Sequence, residues 1–304
     1  MIPQRLKIWD TIGIISPSGT VSNILQDHFD IWVNFLKNLG FKIKIGEYVS
    51  STTLKYWGSP KEKADDLNNM FADKEVKAII CSQGGANANS TLELLDFDLI
   101  QKNPKIFIGL SDITVLLNAI YTKTGIITFH GNDIVFGLGK FRTEYNEQEF
   151  KDRIIDGTIG MIKHNSEWKC IREWSAEGIL IWGNLGCLTK LAWTSFFPDF
   201  TNKILFLEDH DKTTSPEKVE CFLSHLKQLG IFEQIKGLWI GHYTHESQIT
   251  YEEIIMNVVK EYTFPILKCD DFGHNTHNTT IPIGAKVKLD ATNKKINIIE
   301  NCVK

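Results

Sequence analysis

The sequence predicts a two-domain α/β protein whose first half is a mostly parallel sheet with helices on both faces. Three observations carry this. Apolar runs of strand length alternate with stretches of helical periodicity through the first half of the chain, which is the pattern of consecutive βαβ units. A length of 304 residues suits two cores better than one. A more polar, irregular stretch from about Thr143 to Trp174 separates the first half from a second set of strands and helices. The expected division is 1–145, a connecting segment 146–176, and 177–304.

The elements follow in order. Thr11-Ile-Gly-Ile-Ile-Ser16 is a short apolar run ended by Pro17-Ser-Gly19, a buried strand entering a loop. Ile24 to Leu39 carries apolar residues at helical spacing and stops at Gly40. Phe41 to Ile45 alternates like a strand, and Pro60 to Phe71 is a polar helix with one apolar face. Val76 to Cys81 is the next strand, and a helix is expected after the Gln83-Gly-Gly85 loop. Ile106–Ile108 and Ile126–Phe129 are strands either side of a helix over Ile113–Tyr121. The second half opens with a strand near Glu177–Ile181. Lys203–Leu207 is a strand followed by a helix with Ser215 as N-cap, Pro216 at the first helical position and Gly230 as the stop. Gly237–Gly241 reads as a strand and Thr250–Tyr262 as a helix. Pro265–Leu267, Ala285–Leu289 and Lys295–Ile299 read as closing strands.

Composition sets limits. With 42% hydrophobic and 23% charged residues the chain reads as an ordinary globular protein, and its net charge of −4 gives no bulk attraction to nucleic acid or an anionic membrane. No basic block, secretory leader or bilayer-length apolar stretch is visible. Six scattered cysteines without a Cys-x-x-Cys pair read as reduced thiols, so a cytoplasmic location is expected.

Four segments could carry chemistry. Gly109-Leu-Ser-Asp112 joins an apolar strand to a helix, so Ser111 sits where ligands bind in open α/β sheets. The next backbone N–H, at a helix N-terminus, can stabilise an oxyanion. Ser111 taken alone reads first as a helix cap. Leu205-Phe-Leu-Glu-Asp209 ends a strand with two carboxylates, and Asp270-Asp-Phe-Gly-His-Asn-Thr-His277 is a polar loop with two histidines. A serine nucleophile needs a base and a group that orients the base, and the order Ser…Glu…His supplies both. The paired glycines of Cys81-Ser-Gln-Gly-Gly85 let backbone approach a ligand closely and could provide a second oxyanion donor.

These segments resemble the LD-carboxypeptidase family of serine peptidases, and within it the branch of microcin C self-immunity peptidases. The markers are Ile14-Ile-Ser-Pro-Ser-Gly19, Ser82-Gln-Gly-Gly-Ala-Asn-Ala-Asn-Ser90 with Leu94-Leu-Asp96, and Pro104 to Thr114. Gly183-Asn-Leu185, Phe206-Leu-Glu-Asp209, and Gly273-His274 with Asn278, Pro282 and Gly284 complete them. The resemblance implies an N-terminal Rossmann-like domain, a smaller C-terminal α/β domain, and an active site in the cleft between them. It implies Ser111 as nucleophile, His274 as base, Glu208 as the acidic member, and the N–H groups of Gly85 and Asp112 as oxyanion hole. It also implies a homodimer free of metal and organic cofactor. The substrate it implies is a muropeptide or a peptidyl- or aminoacyl-nucleotide, rather than a nucleic-acid polymer or a membrane. Asn87 and Asn89 suggest the immunity branch. Asn184 and either Trp168 or Trp174 are expected to contact substrate, the indole by stacking on a nucleobase. Trp182 stands where the family usually has glycine and is expected to reshape the nearby wall. His277 is an unusual second histidine. Two other readings stay open at this level: a metallohydrolase built on His242, His245, His274 and His277, and a ligand-binding protein without catalysis.

Overall fold

The computed structural model describes residues 1–140, 142–210 and 212–304. Its first half runs β1 (Thr11–Ile15), α1 (Gln26–Asn38), β2 (Lys42–Ile45), α2 (Pro60–Ala72), β3 (Val76–Cys81), α3 (Phe97–Lys102), β4 (Ile106–Gly109), α4 (Thr114–Thr124) and β5 (Thr128–His130). The five strands lie parallel in the order β5-β4-β3-β1-β2. Helices follow where their signals stand. Ser59 caps α2 with a reciprocal Ser59–Glu62 capping box and Pro60 behind it. The stretch after the Gly84–Gly85 loop differs from expectation. It winds as tight turns over 88–94 before the short α3, which Asp96 caps through the Leu99 N–H at 2.8 Å.

The second half adds α5 (Glu144–Phe150), β6 (Gly160–Met161), β7 (Lys169–Arg172), β8 (Ser175–Asn184), α6 (Leu185–Leu188) and β9 (Lys203–Glu208). It continues with α7 (Pro216–Gln228), β10 (Gly237–Ile240), α8 (Tyr251–Val259), β11 (Ile266–Lys268), β12 (Ile281–Ile283), β13 (Lys286–Asp290) and β14 (Lys295–Ile298). Its sheet has the order β6-β14-β13-β8-β9-β10-β11-β7, parallel across β8-β9-β10-β11 and antiparallel at both flanks. Although the expected C-terminal division, 177–304, is shorter than 1–145, the second sheet is the wider, with eight strands against six. The segment 146–176 lends it β6 at one edge and β7 at the other. Ser215 has the extended backbone of an N-cap, but its side chain makes no cap hydrogen bond to α7.

The halves are stitched together. β12, from the second half, pairs antiparallel with β5 and becomes an edge of the first sheet, the place where Pro282 costs no ladder bond. α4 packs on β4 and β5 on one side and on β8 and α6 on the other. Hence Val115, Leu116, Leu117, Ala119 and Ile120 are all buried, covering the helix nearly all round. Its N-terminus, which begins just after Ser111, is thereby held where the two sheets meet.

Candidate active site

β4 is wholly buried and enters a tight turn. Leu110 is extended, and Ser111 turns into the left-handed region at φ +63°. A non-glycine residue there costs about 1–3 kcal/mol, a strain typical of functional turns. Ser111 opens the turn Ser111–Ile113 that leads into α4, and no side-chain cap bond is made at either start. The helix-cap reading of Ser111 therefore has no hydrogen bond behind it.

The glycine loop lies against this elbow. A Cβ on Gly84 would come within 2.7 Å of Ser111 Cβ and 2.9 Å of its Oγ, so only glycine fits. The Gly84 carbonyl accepts from the Gly19 N–H at 3.0 Å. In a trans peptide the following N–H points the opposite way, so the Gly85 N–H faces away from Gly19. Asp112 clamps loop and elbow together. Its buried carboxylate accepts from Ser18 Oγ at 2.5 Å and from the Ala88 N–H at 2.7 Å. Lys190 also donates to it, and to the Ala86 carbonyl at 3.1 Å. The side chain of Asp112 thus has a structural duty distinct from that of its N–H, which opens a helical turn and lacks an intrahelical acceptor.

Glu208 ends β9 and is fully buried. Its Oε2 lies 2.7 Å from His274 Nδ1. Burial pushes the Glu208 carboxyl up, but the His274 charge and contacts from His130 and His274 outweigh this and hold it well below the carboxylate range. His274 mirrors it. Burial lowers its pKa, while Glu208, then Asp209 and Asp133, raise it above the ordinary histidine value. Asn278 holds the His274 turn: its Oδ1 accepts from the Gly273 N–H at 2.8 Å and its Nδ2 donates to the Gly273 carbonyl at 3.0 Å. The ring of His210 packs against that of His274 with centroids 4.6 Å apart.

Ser111, Gly85, His274 and Asn184 line one cavity of about 530 Å³, whose wall also carries Trp57, Asp133, Phe136, Lys190, Asp209 and Phe222. Asn184 caps α6 through the Cys187 N–H at 3.1 Å and donates to Asp209 Oδ1 at 3.3 Å. The other expected substrate contacts lie off this wall. Asn87 is engaged by the buried Lys63, 2.8 Å from its Oδ1, and Asn89 is exposed on the turn beyond. Trp168 is 2% exposed, stacks on His164 and donates to Asp271 at 2.6 Å, so it is a core residue and no base-stacking platform. Trp174 is 72% exposed but precedes β8, whereas Asn184 ends it. The ten-residue strand puts them roughly 30 Å apart. Trp182 does not reshape the wall either. It is fully buried, donates from Nε1 to the Asn184 carbonyl at 2.7 Å, and adopts φ +98°, which explains why glycine suits that position. His277 is exposed and bonds Thr143 at 3.1 Å.

Asp133 was not legible as a site residue, and Asp209 was legible only as one of two adjacent carboxylates. Burial pushes both up to about 6, with Glu208 adding to the rise at Asp209. Asp133 hides in Gly131-Asn-Asp133, where nothing in the spacing marks it. The residues alone left Asp209 open beside Glu208; the family resemblance points to Glu208, and it is Glu208 that lies 2.7 Å from His274. His242 is taken by Asp270 at 2.9 Å. Among the described residues no group of three or more His, Cys, Asp or Glu side chains is placed to hold a metal.

A serine elbow beside a glycine loop, opposite a buried Glu–His pair, defines a hydrolase site. Comparison with known proteins agrees. Residues 12–131 match the LD-carboxypeptidase N-terminal domain and residues 177–289 its C-terminal domain. The chain belongs to the LD-carboxypeptidase family and is a serine peptidase. It is 30% identical to a probable murein peptide carboxypeptidase of Bacillus subtilis (strain 168), over 98% of this chain and 94% of that protein. It is also 30% identical to the microcin C7 self-immunity protein MccF of Escherichia coli, over 99% and 96%. The solved apo structure of MccF superposes with a TM-score of 0.93 at 28% identity, over 100% of both chains. MccF has also been solved in complex with glutamyl sulfamoyl guanosine.

Proposed function

We propose that this chain hydrolyses an amide bond of a small acyl conjugate through a Ser111–His274–Glu208 triad. The observation that carries this is the 2.7 Å Glu208–His274 pair on the same cavity as a serine held at φ +63°. Because His274 gives Nδ1 to Glu208, Nε2 is the nitrogen left for the Ser111 hydroxyl. It takes the hydroxyl proton as Ser111 Oγ attacks the carbonyl carbon. The oxyanion is held by the Gly85 and Asp112 N–H groups, each contributing about 3 kcal/mol in such sites. Collapse of this intermediate breaks the C–N bond, and His274 passes its proton to the leaving amine. Water, activated by the same ring, then releases the acid and frees Ser111. Asn184 borders the acyl group, and the rings of Trp57, Phe136 and Phe222 offer apolar faces to the rest of the substrate. Asn87, Asn89, Trp168 and Trp174 have no part in this cavity.

The substrate class we favour is an aminoacyl-nucleotide, supported by the close superposition on MccF and by those aromatic walls. A murein peptide is the second reading, supported by the equally similar Bacillus subtilis relative. Release rates from glutamyl sulfamoyl adenosine and from a murein tetrapeptide, measured side by side, decide between them. The first reading expects faster release from the nucleotide, and faster release from the tetrapeptide would reverse it. For these roles the chain divides at 1–145, 146–176 and 177–304, a division supported by the two sheets and the two matched domains. Six free thiols suit the reducing cytoplasm. The family resemblance supports a homodimer, which analytical ultracentrifugation tests. Among the described residues no helix is long and apolar enough to cross a membrane.

A further inference from the structure

We propose that His130 is a positioning residue of the site, holding the second oxygen of Glu208 as His274 holds the first. The inference rests on the triad reading above. His130 ends β5 and belongs to the first sheet, while Glu208 ends β9 of the second. Both side chains are fully buried. His130 Nε2 lies 3.8 Å from Glu208 Oε1, just beyond hydrogen-bond length. Among the described residues neither ring nitrogen of His130 has a hydrogen-bond partner, and neither has Glu208 Oε1. Two polar groups buried face to face, each unsatisfied, are costly to leave so. A closing movement of about 1 Å would satisfy both.

The ring has little freedom to do anything else. A Cβ on Gly183 would come within 2.6 Å of His130 Cδ2 and 2.9 Å of its Nε2, so Gly183 backs the ring on one side. Phe206 meets it edge-on with centroids 5.2 Å apart. The backbone is equally fixed, paired to Gly109 of β4, two residues before Ser111, and to Ile281 of β12. His130 therefore ties Glu208 to the strand layer that carries the serine. The bond requires a proton on Nε2 of the His130 ring, donating to Oε1.

This contact has a chemical consequence. A donor on Oε1 draws off part of the Glu208 charge, so His274 becomes a weaker base than Glu208 alone would make it. The other ionisable groups around Glu208 are His274, Asp209, Cys187 and Tyr251, and Asp133 also acts on His274. None of these is altered by a change at His130.

The test compares His130→Phe, which keeps the ring volume beside Phe206, with His130→Gln, which keeps a donor. Histidine-selective NMR titration of the full-length folded protein reads the His274 ring directly, independent of turnover. The inference expects the His274 pKa to rise by about 0.5–1 unit in His130→Phe and to return toward wild type in His130→Gln. Hydrolysis should follow, with kcat about tenfold lower in His130→Phe at unchanged KM, and largely restored in His130→Gln. An unshifted His274 titration in folded His130→Phe overturns the inference. Should His130→Phe fail to fold, His130→Gln decides: a His274 titration and kcat near wild type support the inference, and a His274 pKa shifted upward as for a lost donor overturns it. A wild-type protein inactive on both probes would count against the proposed function and leave the NMR result to decide this inference alone.

Discussion

Glu208 and Asp209 are adjacent carboxylates with opposite fates. Glu208 gains a histidine partner and stays ionised, whereas Asp209, buried against that charge, is pushed up to about 6. The residues alone left the two open, because chain adjacency says nothing about which one the histidine meets, and the family resemblance pointed to Glu208. The pair also sets the pH response. In the proposed triad His274 must be neutral to accept the serine proton, and its pKa is raised, so activity is expected to fall as pH drops through a value above the ordinary 6.5. The acid limb of kcat/KM is therefore expected above pH 6.5. In Glu208→Gln the anion that supports the His274 charge is gone, so the limb should move to lower pH while kcat falls on the order of 10³–10⁴-fold. A pH–rate profile of that variant checks both statements. An unmoved limb would mean that Glu208 does not set the His274 pKa.

At the scale of elements, strand-length apolar runs and helix caps were legible because each is written in consecutive residues. β3, β4, β9 and α2 appear within a residue or two of where the patterns put them. β6 and β12 were not legible, since two- and three-residue strands carry no period. Trp168 and Trp174 show the same limit, for an indole in a polar stretch reads alike whether it folds inward or stands in solvent. Trp182 is a case where magnitude decides. Its φ of +98° costs about 1–3 kcal/mol, which Trp182→Gly would relieve. Losing a fully buried indole costs about 3–5 kcal/mol, and the packing loss is the larger. Trp182→Gly is expected to be destabilised by about 2 kcal/mol in urea titration. A gain in stability would show that strain dominates there.

On the scale of the whole molecule, the two halves are tied to each other by backbone pairing. β12 crosses to the first sheet, and the chain ends pair through Arg5 N–H to the Lys304 carbonyl and Lys304 N–H to the Pro3 carbonyl, each at 3.0 Å. Leu6 N–H adds a bond to the Ile154 carbonyl at 3.0 Å. Calorimetry is expected to show a single cooperative transition, and two resolved transitions would mean that the halves are independent. Such coupling suits the proposed site, whose serine lies at the end of one sheet and whose Glu208 and His274 lie with the other. That Ser111 would lie on the first half and Glu208 and His274 on the second was what the family resemblance implied. The buried contact of His130 with Glu208 was not, because His130 closes an apolar run and looks like any strand end. The central claim is that Ser111 attacks the substrate, and the rate of amide release by folded Ser111→Ala measures it most directly. The account predicts a loss of roughly four to six orders of magnitude in kcat with an unchanged fold, and release at the wild-type rate would contradict it.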